Sequence, residues 1–269
     1  MMKNAARLAA LSVLTVAGCH QPEESRNIAA TERKATAPST ATAEAPPAPF
    51  TLDQKNARLH FAYAWPAEAA AVPTLADRLR REMALARTDA VATAADDFTS
   101  RKASGYPYFA HEFTRSWSTA GQSQGLLSLV ATTAVYTGGA HPNHGSSALL
   151  WDRKAAREVK LEALFSSPSS LASLLVGPWC KAIAAARAER RGGAGAGDLF
   201  DECPPLSDLA VVPADSDHDG RFDRVRMLAD PYVAGPYAEG DYEIDFAVEP
   251  RWIMAIKPGW RAEFEAQPQ

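Results

Sequence analysis

Three short runs of this 269-residue chain gather side chains of types able to do chemistry. Residues 136–147 read Y-T-G-G-A-H-P-N-H-G-S-S, with Tyr136, Gly138 and Gly139 ahead of His141, Asn143 and His144. Imidazoles titrate near neutrality, carry protons and bind metals, so the run reads as a reaction centre, a metal site or a hairpin needing unusual backbone angles. Residues 215–223, D-S-D-H-D-G-R-F-D, set Asp215, Asp217, Asp219 and Asp223 at positions 1, 3, 5 and 9 of a calcium loop, with Gly220 at 6 and the Arg221 carbonyl at 7. Position 12 is Arg226 instead of a bidentate Glu, and both flanks look like strands, so a calcium loop and a plain polar hairpin turn both stay open. A third run, G-Q-S-Q-G at residues 121–125, has the spacing of a nucleophile elbow. The residues after Gly125 are strand-like and not helical, so this run is expected to be a hairpin turn.

The elements that must position these residues can be read from periodicity. Leu59, Phe61 and Tyr63 alternate over residues 57–64, as a half-buried strand requires. A helix is expected next, with Thr74 as its cap and Leu75, Leu79, Met83, Ala86 and Ala90 along one face. Strands are expected over 106–119, 126–135, 209–213 and 222–228. A helix is expected within 161–190, carrying Leu171, Leu174, Leu175, Trp179 and Ile183 on one face and kinked or divided at Gly177-Pro178. These elements give an α+β fold class, antiparallel sheets with packed helices, in two associated subdomains.

Lys3 and Arg7 precede an apolar run over residues 8–17 that is too short to span a bilayer and has the layout of a secretory leader. It ends in Val16-Ala17-Gly18-Cys19, which resembles the lipobox of bacterial lipoproteins, making Cys19 the expected lipidated anchor. His20 after it favours, by resemblance, the outer membrane facing the periplasm. Residues 20–49 are rich in Ala, Thr, Pro, Ser and Glu and too poor in large apolar groups to fold, so they read as a tether. The chain carries 28 basic and 32 acidic residues, and losing Lys3 and Arg7 with the leader makes it more acidic, which argues against nucleic acid and allows a cationic protein partner. In an oxidising compartment Cys180 and Cys203 are read first as a disulfide, closing a loop that contains R-R-G-G-A-G-A-G.

The run Y-T-G-G-A-H-P-N followed by S-S-A-L-L-W-D-R-K-A-A-R-E-V-K-L-E-A-L-F resembles an extracytoplasmic domain of unknown function found in RsiV-type anti-sigma factors and beside the catalytic domain of PdaC-type peptidoglycan deacetylases. D-P-Y-V-A-G-P-Y-A-E-G-D-Y-E-I, residues 230–244, resembles a second segment of that family. The organisation implied is a leader at 1–18, lipidated Cys19 and tether at 19–49, an N-terminal PdaC- and RsiV-like subdomain at 50–104, and an RsiV-like domain at 105–269. The resemblance covers the accessory region of those deacetylases and not their catalytic domain, whose metal-binding histidines stand four apart where His141 and His144 stand three apart. The loop is thus expected to be structural, with Tyr136, Gly138, Gly139, His141 and Asn143 as candidate contacts to a ligand or partner. The expected activity is non-catalytic binding in the envelope, of lysozyme or another peptidoglycan-active protein. The alternative is a cell-wall glycan hydrolase, or a deacetylase-associated enzyme, using the pocket around His141.

Overall fold

Leu59, Phe61, Tyr63 and Trp65 alternate with part-exposed neighbours along strand β2 (Leu59–Trp65), so the pleat turns four large side chains to one face and buries them all. The computed structural model describes residues 47–193 and 200–267; the expected leader, Cys19 and nearly all of the tether lie outside these residues. Around β2 runs a six-stranded sheet made of β1 (Phe50–Lys55), β2, β3 (His111–Gln122), β4 (Leu126–Tyr136), β5 (Asn143–Asp152) and β6 (Arg157–Glu158), in that spatial order. Every pairing is antiparallel except β2 with β3, where Leu59 stands beside His111 in parallel register. A parallel neighbour needs a long crossover, supplied here by helices α1 (Ala67–Ala70) and α2 (Pro73–Ser104).

The second layer holds α3 (Pro168–Arg190), the antiparallel strands β7 (Ala210–Ala214), β8 (Arg224–Ala229) and β9 (Tyr242–Ala247), and the short α4 (Pro250–Ala255). Strand β7 lies against β3, β4 and β5, so the large sheet is covered on both sides. Strand β4 shows the result in its sequence. Leu127, Leu129 and Ala131 join Phe61, Trp65, Leu75 and Trp117 in one core, while Leu126 turns the other way to join Leu150, Trp179, Met227 and Trp252 in a second. A strand dry on both faces loses the polar half of its alternation, which is why L-L-S-L at its start is buried without a break.

Four expectations change. The boundary at residue 104 does not separate two bodies, because β2 and β3 pair across it within one sheet. Thr74 is not the cap of α2: Val72 takes that place and Pro73 is the first helical residue, where its missing N–H costs nothing. Helix α3 runs unbroken through Pro178. An internal proline costs roughly 3 kcal/mol, and burying side chains such as Leu171, Leu175, Trp179 and Ile183, at about 1.5–3 kcal/mol each, more than offsets it. Of the three glycines in residues 136–147, only Gly138 has a positive φ, +88°. By length and composition α3 could also cross a membrane, yet its apolar face is the floor of the second core.

Candidate functional site

The loop between β4 and β5 is tied down by residues almost a hundred positions away. The His141 ring stacks on Tyr237 at 3.9 Å between centroids, and the Tyr237 hydroxyl donates to the Pro142 carbonyl at 3.0 Å. His144 Nε2 lies 2.8 Å from Asp241 Oδ1, and the Ser146 N–H donates to Asp230 Oδ2 at 2.7 Å. Gly145 permits this approach, since a Cβ there would sit 3.2 Å from Asp230 Oδ2. The two stretches that carry the family resemblance thus form one surface. At its rim stands Tyr232, 55% exposed and held at φ +71°, with its ring 6.0 Å from that of Tyr237.

Three arginines of α3 and its C-terminal cap grip residues 230–242 from behind. The buried Arg187 donates through Nε to the Ala234 carbonyl at 2.6 Å and through Nη1 to the Glu202 carbonyl at 3.0 Å. Arg190 reaches the carbonyls of Glu239 and Asp241 at 2.6 and 2.7 Å while its guanidinium covers the Tyr242 ring at 3.8 Å. Arg191 Nε donates to Glu239 Oε1 at 2.7 Å, and the Tyr242 hydroxyl donates to the other Glu239 oxygen. The Arg191 hydrogen bond holds the Glu239 carboxyl below its ordinary range, against burial. Fixed carbonyl and carboxylate partners of this kind make the aromatic surface a preorganised one. Positions 187, 190 and 191 share one helical face by their i, i+3, i+4 spacing, the one signal in the sequence that could have pointed to this clasp.

The other expected contacts stand apart from the aromatic group. Tyr136 is half-buried at the end of β4, in register with Glu112, and a Cβ on Gly138 would face the Arg101 guanidinium near the end of α2. Gly139 and Asn143 are exposed, Asn143 opposite Val135. Ser123 belongs to the β3–β4 hairpin, its hydroxyl accepting from the Leu126 N–H at 3.2 Å. Cys180 and Cys203 are bonded, with Cα atoms 5.2 Å apart.

The aspartate loop, residues 215–223, joins β7 to β8. Oxygens of Asp215, Asp217 and Asp223 lie within 4.8 Å of one another, and a second group of the same span joins Asp217, Asp219 and Glu265. Asp223 is fully buried and accepts from the Ser216 N–H at 2.7 Å, the Ser216 hydroxyl and Gln267 Nε2 at 2.9 Å, with Arg224 Nε at 3.4 Å. The Arg221 side chain turns to Glu265 and the Phe264 carbonyl. Burial, then the carboxylates of Asp219, Asp217 and Asp223, push the Glu265 carboxyl up against the pull of Arg221. The loop is seated on β3 where Asp215 N–H donates to the Ala120 carbonyl at 3.1 Å. Gly121 has no φ constraint but no room, a Cβ there falling 2.5 Å from Asp215 N.

Comparison with known proteins bears on the fold that carries these residues. Residues 52–144 match the family model described as Deacetylase PdaC, so the matched region runs past residue 104 to the β4–β5 loop. A DUF3298 family protein from Pseudomonas aeruginosa PAO1 superposes with a TM-score of 0.51 at 16% identity, covering 83% of this chain and 99% of that one. A DUF3298 member from Bacteroides fragilis NCTC 9343 gives 0.46 at 15% identity, covering 80% and 95%. No curated protein sequence matches the chain. Residues 52–144 are therefore similar to the PdaC family model, and the chain shares the fold of a DUF3298 family protein.

Proposed function

We propose that the chain is an envelope lipoprotein, anchored through Cys19, whose domain binds a peptidoglycan-active protein such as lysozyme without doing chemistry on it. The observation that carries this reading is the surface where exposed His141 and Tyr232 flank half-buried Tyr237, on a segment held by Arg187, Arg190 and Arg191. Rigid aromatic groups supply large contact area at little ordering cost and dominate protein interfaces. The acidic balance of the chain suits a cationic partner such as lysozyme. The PdaC-type match supports an extracytoplasmic accessory role.

The test is retention of the full chain on immobilised lysozyme at low salt. Tyr232→Ala and Tyr237→Ala should each weaken binding roughly tenfold or more, as loss of a central aromatic contact does. No retention of wild type at low salt sinks the lysozyme version. A second reading, a glycan hydrolase, draws on the His144–Asp241 pair, since a carboxylate at 2.8 Å can orient an imidazole as a base. Release of soluble fragments from purified peptidoglycan, abolished by His144→Ala, would favour it over simple binding.

A further inference from the structure

Placing several carboxylates side by side raises the energy of each unless a counter-charge joins them, so the chemistry of residues 215–223 turns on which oxygens already have partners. Asp223 has them, through Ser216, Gln267 and Arg224. Asp215 is satisfied on one side only. Its Oδ2 accepts from the Gly220 N–H at 3.1 Å, whereas its Oδ1 is buried with no hydrogen-bond partner, in a residue only 4% exposed. A buried, unpaired carboxylate oxygen is costly, and Asp215 belongs to a group in which one oxygen each of Asp215, Asp217 and Asp223 lie within 4.8 Å of one another. That span is the diameter available to a calcium ion, which holds oxygens at about 2.4 Å on opposite sides. A cleft of about 380 Å3, lined by Asp215, Asp219 and Gly220 together with Glu68 and Gln122, opens beside it.

We infer that the β7–β8 loop is a calcium site, with Asp215, Asp217 and Asp223 as its ligands and Asp219 closing it from the solvent side. Calcium fits better than magnesium, because a mixed set of carboxylates on a curved loop offers many oxygens in irregular geometry, whereas magnesium demands a near-ideal octahedron and keeps its waters. The loop is pinned to β3 through Asp215 and Ala120 and to the C-terminal segment through Asp223 and Gln267. An ion here would therefore order a loop that is seated on β3 beside Ala120.

Calorimetric titration of the full chain with calcium chloride alone should show one ion per chain with a dissociation constant between about 10⁻⁵ and 10⁻³ M, from the weak end of sensor sites to extracellular modules. For a constant near 10⁻⁴ M, 5 mM calcium should raise the melting temperature by roughly 5–9 °C. Magnesium should bind at least tenfold more weakly. Asp217→Asn alters an exposed side chain, so the protein should fold as judged by circular dichroism, yet bind calcium at least tenfold more weakly. Glu265→Gln should stay within threefold of wild type. A wild-type titration with no heat and no melting shift at 5 mM calcium overturns the site, and so does a Glu265→Gln loss equal to that of Asp217→Asn, which would move the ion to the outer carboxylates.

Discussion

Reducing the bond between Cys180 and Cys203 should destabilise the domain by about 3.4 kcal/mol. The cysteines are 23 positions apart, and the loop-entropy relation gives roughly 11.4 cal/mol/K for a closed loop of that length, hence about 3.4 kcal/mol at 25 °C. The loss belongs almost entirely to the unfolded chain, because residues 202–204 have other ties to α3. Trp179 Nε1 donates to the Pro204 carbonyl at 3.2 Å and Arg187 Nη1 to the Glu202 carbonyl at 3.0 Å, and neither needs the sulfur bridge. The assay is urea unfolding followed by tryptophan fluorescence, to which the buried Trp179 and Trp252 contribute, with and without a phosphine reductant and in a Cys180→Ala/Cys203→Ala variant. With a slope of about 2.5 kcal/mol/M, the midpoint should fall by roughly 1.4 M while the native near-ultraviolet spectrum stays unchanged. Midpoints that agree within about 0.3 M would refute the entropic reasoning. A native spectrum that collapses on reduction would refute it differently, by showing that the bridge holds the folded state itself together.

Cys19→Ser should release the protein from membranes and abolish palmitate labelling; unchanged membrane fractionation would remove the anchor. Acid stability has a definite sign at Glu239, whose folded-state value is lowered below the ordinary 4.5, chiefly by Arg191. The stability it adds is fully present above that ordinary value and is lost as pH falls through the lowered one. Melting temperatures of wild type and Glu239→Gln should then differ at pH 6 and draw together as pH falls below 4.5, and a difference that stays constant down to acid unfolding would contradict the pairing.

The parts of this fold legible in the sequence are those governed by local repetition. Leu59, Phe61 and Tyr63 announce β2 because a pleat alternates, and Leu171 to Ile183 announce the apolar face of α3 because a helix returns every third or fourth residue. The L-L-S-L start of β4 is harder to interpret, since burial on both faces removes the contrast that distinguishes strand from buried helix. Proline signals act with differing strength: Pro73 opens α2 in the first-turn position that suits a proline, ahead of the expected cap Thr74, while Pro178 is overruled by the side chains buried around it. The parallel register of β2 on β3 leaves no local trace, being set by α2 closing over the sheet. The candidate surface is half visible. His141 and His144 stand out, but their partners Tyr237 and Asp241 come from the far end of the chain, and no periodicity connects positions that meet only through tertiary packing.

The two dry faces of β4 also bear on where the chain can be cut. A segment encoding only residues 52–144 would end two residues into β5 and leave β4 as an open edge, with Leu126 facing water in place of α3 and β8. Unpaired edges with apolar faces invite association between copies, so that segment on its own should be prone to self-association. The recognisable sequence signature here is thus shorter than the unit that packs, because the second sheet covers the other face of β4.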